Sequence, residues 1–389
     1  MKVFKIFSFL ILFSGCDPFV TEFSQTESAM MYKASSVPSE SATYNGGSLK
    51  VVTWNIRFGS GRFPFFGDSC GDKVISENKN VKLIMQAIAD TLNKIDADIV
   101  LLQEVDVSSK RTGYMDQVQY LLDNTYLNYG SYASMWKADF IPTDGIGKIN
   151  TGNAILSRYE ITEAERIELR LRTDQDNLVQ YFYLRRNILK AKIPSLAQSG
   201  KDFFAVDIHA TAFATDDTKE QHLLKYSEVL SNIANNNGVF VSGGDLNSVP
   251  PNSTVDFCML DKCDSEKYVD SDGSEIEYHS IDSVSTGPHK EGAFFDNFEG
   301  EPDILQPLYN SYSAAISHVD GSTLDPINYT HAPSTSYERH EIKHDRKLDY
   351  LFTNGLWEDG SGFTHQGAWE LSDHMPVSAT FTPALEEGR

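Results

Sequence analysis

Basic residues are in short supply: 33 Lys and Arg stand against 55 Asp and Glu, a formal net charge of −22. A protein that lives on a long polyanion usually carries a basic footprint, so long nucleic acid is disfavoured as a partner. Phosphate chemistry in a local pocket is not, because bound metal itself supplies positive charge. The apolar run at residues 6–13 is too short to cross a bilayer, which takes about 20 residues. Cysteine is scarce, with Cys16, Cys70, Cys258 and Cys263 only. Apart from Cys16 the number is odd, so at least one thiol stays unpaired in an exported chain. Cys258 and Cys263 are close enough in sequence for a local disulfide, and no second Cys/His pair at zinc spacing accompanies them. Internal repeats and a nucleotide-binding glycine loop are also missing, since Gly59-Ser60-Gly61 is too short a signal.

What remains is 389 residues at 40% hydrophobic composition, enough to bury a large core. Lys2 and Lys5 precede the apolar run, and Ser14-Gly15-Cys16 follows it, the layout of a secretory signal over residues 1–16. Residues 17–47 are rich in Ser, Thr, Glu and Ala, end in Asn45-Gly46-Gly47, and read as a flexible tether. The folded domain is expected over residues 48–384. It opens with a strand at 49–54, then a helix whose face carries Val81, Ile84, Met85, Ile88, Leu92 and Ile95, then a strand at 98–102. Further strands are predicted at 154–156, 188–193, 203–208, 239–242, 348–352 and 377–381, and a helix at 218–235. This balance suits two sheets packed face to face and covered by helices. Residues 250–346 are loop-rich, and a long irregular insertion is usually functional or flexible.

One pattern recurs. An apolar strand is followed at once by a carboxylate, amide or imidazole: Asn55, Glu104, His209, Asp245 with Asn247, Asp349, and Asp373 with His374. Any one of these can simply satisfy backbone groups in a turn. Together they supply oxygen ligands for a hard divalent cation, an amide donor for phosphate and two imidazoles for proton or charge work, which is a phosphoesterase set.

Thr53-Trp54-Asn55-Ile56, Leu102-Gln103-Glu104-Val105, Gly152-Asn153-Ala154-Ile155-Leu156-Ser157, Gly244-Asp245-Leu246-Asn247, Leu348-Asp349-Tyr350 and Ser372-Asp373-His374 resemble, in order, the motifs of the endonuclease/exonuclease/phosphatase (DNase I-like) superfamily. The resemblance implies an α/β fold, a four-layer α/β/β/α sandwich with two packed mixed, mainly antiparallel sheets. It implies a phosphoesterase using Mg2+, with Mn2+ or Ca2+ as alternatives. Glu104 would be the principal metal ligand, with Asn55 and Asp373 beside it. Asp245 would orient or deprotonate the attacking water, and Asn247 would donate to a phosphate oxygen. His374, oriented by Asp349, would complete the water machinery or hold the phosphate, and His209 would stabilise transition-state charge or help the leaving group. Cys16 after Phe13-Ser14-Gly15 is similar to the lipobox of bacterial lipoproteins, which implies a lipid anchor in the cell envelope.

Asp106 departs from the Arg that nucleic-acid-cleaving relatives often carry two residues past the metal-binding glutamate. Lys110 and Arg111 are either substrate cations or a solvated basic turn. His318, His331, His340 and His344, with Tyr329, Tyr337 and Arg339 near them, are left outside the site as loop residues. The expectation is a monomeric, lipid-anchored hydrolase of a small-molecule or lipid phosphate ester. The alternatives are a secreted nuclease and an inactive binding lipoprotein.

Overall fold

The structure is a computed structural model describing residues 19–37, 44–67, 71–197, 200–212, 214–251, 253, 268–269, 272–276, 301–317, 325–333 and 344–382. The four cysteines and the expected signal segment lie outside the described residues.

Period-two alternation sorts the central strands into layers. In β3 (Leu49–Asn55), Leu49 and Val51 point to one face, Val52 and Trp54 to the other. In β4 (Ile99–Asp106), Ile99 and Leu101 join the first set, Val100 and Leu102 the second. The second set meets Val81, Met85 and Ile88 of helix α1 (Asn78–Ile95), with Leu121 and Leu122 of α2 (Gln117–Asn124). The first set meets Phe203 and Ala205 of β9 (Phe203–His209), Val241 of β10 (Val239–Asp245) and Leu351 of β14 (Asp349–Thr353). Val206, Ile208, Phe240 and Phe352 then turn away to α4 (Thr218–Asn235) and α5 (Gln306–Ser311). The order helix, sheet, sheet, helix follows, as expected from the sequence. Each fully buried Leu, Ile or Phe contributes about 1.5–3 kcal/mol by leaving water.

The first sheet also holds β5 (Tyr129–Ile141), β6 (Gly147–Ser157) and β17 (Val377–Thr382), in the order β17-β3-β4-β6-β5. The second runs β7-β8-β9-β10-β14, with β7 at Glu163–Glu168, α3 at Asn177–Phe182 and β8 at Asn187–Lys192; the two-residue strands β11 (Tyr268–Val269), β12 (Glu275–Ile276), β13 (Ser313–Ala314), β15 (Leu356–Trp357) and β16 (Phe363–Thr364) lie outside these two runs. Within these runs only β3/β4 and β9/β10 pair in parallel. Parallel neighbours need a crossover, and α1 and α4 supply it. Among the described residues no helix is long and apolar enough to cross a membrane.

The expected tether is corrected in part. Strand β1 (Thr26–Ser28) pairs with β7 at the edge of the second sheet, and β2 (Met30–Lys33) pairs with β5 at the edge of the first. The segment therefore clips both sheets along one side and covers their open edges. Its strands are too short and too exposed to carry a hydrophobic period.

Candidate active site

The rows of side chains between the sheets change character along their length. Leu49, Val51, Thr53 and Asn55 form one row; Phe203, Ala205, Asp207 and His209 form another. At the turnover from apolar to polar, the Gln103 amide donates to Thr53 Oγ1 (3.2 Å) and Asp207 Oδ1 (2.6 Å), tying the two sheets together. Burial pushes the Asp207 carboxyl well above the ordinary range. Beyond it the strands open into a cavity of about 270 Å3. Ligand sites of α/β sheets commonly lie outside the carboxyl ends of the strands.

Register lines up the second sheet's contribution. Asp245 is the direct partner of His209 on one side and of Asp349 on the other. The approach to Asp245 requires glycine: Gly244 has φ +141°, and a Cβ there would stand 1.8 Å from the Ile208 carbonyl oxygen. Asp245 Oδ2 lies 3.2 Å from His209 Nε2 and 3.7 Å from His374 Nε2, while Oδ1 accepts the Asn247 N–H at 2.9 Å. Asn247 takes a left-handed φ of 48°, which asparagine tolerates, and its amide donates to the Ala210 carbonyl (3.1 Å). His374 Nδ1 meets Asp349 Oδ2 at 2.8 Å.

The first sheet supplies Asn55 and Glu104. Glu104 would point to the helix side by alternation, but a bulge between Leu102 and Val105 and a φ of 56° turn it into the cavity. The Asn55 amide donates to Glu104 Oε1 (3.2 Å) and Asp245 Oδ2 (3.1 Å), while its Oδ1 accepts the Arg57 N–H (3.0 Å). Ser372 and Asp373 are pinned against this corner. Ser372 Oγ donates to the Asn55 carbonyl (2.8 Å), the Trp54 indole to the His374 carbonyl (2.9 Å), and Arg57 Nε stands 3.3 Å from Asp373 Oδ2.

Six of the expected residues, Glu104, His209, Asp245, Asn247, Asp373 and His374, thus line one cavity. Asn55 and Asp349 stand behind them, bonded to the lining carboxylates and to His374.

The electrostatics separate the two imidazoles. Burial and the nearby Arg186 push His209 down, against the pull of Asp245. Burial also disfavours charge on His374, but Asp349 and Asp245 outweigh it and hold its pKa well above the usual histidine value. Burial raises Asp349. Burial opposes ionisation of Asp245 as well, yet His374 and His209 hold its carboxyl far below the ordinary range. At Asp373 burial is outweighed by Arg57, His374 and His331, which hold the group down to about 2. A neutral imidazole, a protonated imidazole and an ionised carboxylate therefore face one another.

The donor set fits a divalent cation. Glu104 faces the cavity with one oxygen on Asn55, and no donor among the described residues meets its other oxygen. The Asp373 carboxylate is fixed by Arg57, as ligating carboxylates usually are by a neighbouring donor.

Several residues that the sequence did not flag also line the cavity: Arg57, Arg186, Lys219 and Arg346, with Phe58, Phe65 and Trp136 on the apolar wall. Arg186 is buried, its Nε has no hydrogen-bond partner, and Nη1 reaches only the His209 carbonyl at 3.5 Å. Its one local signal is a charged pair, Arg185-Arg186, at the start of a buried strand. Asp106 is not a cavity residue. It is buried and accepts Arg111 Nε and Nη2 at 2.9 Å each, with Thr112 Oγ1 at 2.9 Å. Arg111 itself stacks 3.7 Å from the Phe58 ring and lines the cavity, whereas Lys110 bonds the Gly145 carbonyl away from it. Of the loop residues set aside, His331 lines the cavity and His344 does not, while His318, His340, Tyr337 and Arg339 lie outside the described residues.

No curated protein matches the chain. Among solved structures it is similar to an endonuclease/exonuclease/phosphatase from Beutenbergia cavernae, with a TM-score of 0.51 and 16% identity over 86% of this chain and 72% of that one. Proteins described by the same family name from Leptotrichia buccalis and Bacteroides vulgatus have TM-scores of 0.47 each. Their identities are 15% and 16%, over 86% of this chain and 99% and 98% of theirs. The model of the Endonuclease/Exonuclease/phosphatase family matches residues 52–374, a span that holds every residue of the site described above. The chain belongs to this family of phosphoester hydrolases.

Proposed function

We propose that the chain hydrolyses a small-molecule or lipid phosphate ester with a divalent cation, Mg2+ first, at the open end of the sandwich. One observation carries this reading. A chain with a net charge of −22 puts Arg57, Arg111, Arg186, Lys219 and Arg346 around a single cavity of about 270 Å3. That volume is just under the roughly 300–1,000 Å3 usual for small-molecule sites, and the acidic envelope disfavours a long polyanion.

Glu104 would hold the cation, with Asn55 and Asp373 beside it. The cation would polarise the phosphoryl group and offset the charge that develops in line with the leaving oxygen. Asp245, kept ionised, orients the attacking water. His374, kept protonated by Asp349 and Asp245, is the imidazole able to give a proton to the leaving oxygen or a charge to the phosphoryl group. His209, kept neutral beside Arg186, serves as an N–H donor to Asp245. Environments that drive two like groups apart are the usual sign of an acid/base division. Asn247 and Arg186 offer amide and guanidinium donors to phosphate oxygens. The signal-like segment and Cys16 support a lipid anchor in a bacterial cell envelope, facing a membrane-associated substrate.

The test is hydrolysis by the chain from residue 17 onward, keeping both edge strands, on plasmid DNA, sphingomyelin, phosphoinositides and small nucleotide phosphates in parallel with Mg2+. Turnover of a small or lipid phosphate with DNA intact is the expected result. Rapid DNA cleavage would overturn the substrate class and favour the nuclease, and no hydrolysis of any member would favour a binding protein.

A further inference from the structure

Two Asp–His pairs, not one, converge on the cavity. His374 Nδ1 meets Asp349 Oδ2 at 2.8 Å, and His331 Nδ1 meets Asp345 Oδ1 at 2.8 Å. The two histidines are joined by an antiparallel backbone bridge, and their rings stand edge to face with centroids 5.3 Å apart. With Nδ1 of each ring engaged, Nε2 is the nitrogen left to a ligand, and both histidines line the cavity together with Asp373. One ligand atom from each of His331, Asp373 and His374 falls within 4.8 Å of the others.

We propose that His331, His374 and Asp373 form a nitrogen-rich cation site for a borderline metal such as Zn2+ or Co2+, which overlaps the oxygen set around Glu104 at Asp373 alone. The chemistry of the donors carries the inference. A histidine that ligates a metal nearly always gives its other ring N–H to a carboxylate or carbonyl, which fixes the tautomer and turns the free lone pair to the metal. Here both histidines have that arrangement, and the carboxylate of the set has its own supporting cation in Arg57. Two imidazoles and one carboxylate leave a fourth position open, as catalytic rather than structural zinc sites do. Imidazole suits zinc and its neighbours, whereas magnesium prefers oxygen and water. Ligands of one tetrahedral ion at about 2.0–2.1 Å sit roughly 3.4 Å apart, so loading draws the rings and carboxylate together by at most about 1.4 Å. His331 stands on the cavity side of a short bridge segment and is only partly buried, which permits that movement.

The site shares Asp373 and His374 with the hydrolytic centre proposed above, and a metal there displaces the Nε2 proton that His374 keeps in the hydrolytic form, so the two forms exclude each other; Co2+ binding needs neither Mg2+ nor turnover, so the two readings fail separately. The test is Co2+ titration of the full chain, stripped of metal by chelation and dialysis, read by visible absorption and by Zn2+ displacement. The wild type is expected to give a ligand-field band that saturates with Co2+ and is removed by Zn2+. His331→Gln keeps much of the side chain's volume and should weaken Co2+ binding at least about tenfold. Asp345→Asn should weaken it by about 10- to 100-fold with His331 still present. Glu104→Gln should leave the band unchanged. Circular dichroism confirms that each variant is folded. Equal Co2+ affinity in wild type and His331→Gln, or a wild type without a Zn2+-displaceable band, overturns the proposal. Failure of Mg2+-dependent hydrolysis with the band intact removes the hydrolytic reading and leaves this one standing.

Discussion

The two parallel units, β3–α1–β4 and β9–α4–β10, are built alike and end differently. Each brings two neighbouring strand ends to the same cavity through one crossover helix. The first ends in Asn55 and Glu104, with a bulge that turns a half-buried carboxylate outward and leaves one of its oxygens open. The second ends in His209 and Asp245, both buried and bonded to each other, with Asp349 in register beside them. One end is open and suited to a cation; the other is closed and suited to fixing protons and charges. The same topology thus serves two jobs, and the difference rests on a bulge in one unit and a glycine approach in the other.

The sharpest way to break this comparison is Glu104→Ala. It removes the open carboxylate only, so Mg2+-dependent kcat should fall about 10^3-fold or more while the circular dichroism spectrum stays native. Normal turnover would take the cation away from the first unit. Next is Asp349→Asn, which acts on the second unit through His374. Because Asp349 helps to hold the His374 pKa up, activity that needs protonated His374 persists as pH rises until that raised pKa is passed. In the variant the alkaline limb should move to lower pH and kcat near neutrality should fall about 100-fold. A pH–rate profile with an unshifted limb would contradict the division between His374 and His209.

Arg186→Met probes the wall behind His209. KM should rise about tenfold with kcat little changed, as for the loss of a donor that meets ground state and transition state alike. Thermal stability should hold or rise, because the guanidinium is buried with few donors satisfied. A fall in melting temperature would mean that its charge is compensated by the fold rather than awaiting an anion.

The last prediction leaves turnover aside and concerns the stability of the second unit's helix. His222 Nδ1 accepts the Thr211 N–H (3.1 Å) and Nε2 faces the Arg170 carbonyl (2.6 Å), an arrangement that requires the neutral ring. Burial pushes its pKa down to about 4. A histidine depressed in the folded state stabilises the fold above its unfolded pKa of about 6.5, and that stability is lost as pH falls toward the folded value, by up to about 3 kcal/mol. Denaturant melts between pH 7 and pH 4 should show the loss, and His222→Gln should flatten it.

Much of the comparison was legible in the sequence where a residue follows its own strand. Val81 to Ile95 reads as a helix face, and Asn55, Glu104, His209 and Asp245 stand at the ends of apolar runs, so both units and their polar ends could be named. Contacts made across the chain were not legible. His331 finds Asp345 and His374 only after folding, Arg186 meets His209 through strand pairing, and the covering strands at residues 26–33 have no apolar period to betray them. Asp106 shows the converse. In the sequence it stands out only as a departure from an Arg, and in the fold it is a buried counter-ion for Arg111 behind the cavity wall.

The most direct test of the account is a Mg2+ titration of hydrolysis by the chelated chain, using a small soluble phosphodiester. If the open end of the first unit holds a cation and the closed end of the second fixes the water and the proton, turnover should vanish in chelator and return in a saturable way with Mg2+. Turnover that persists undiminished after chelation would contradict it.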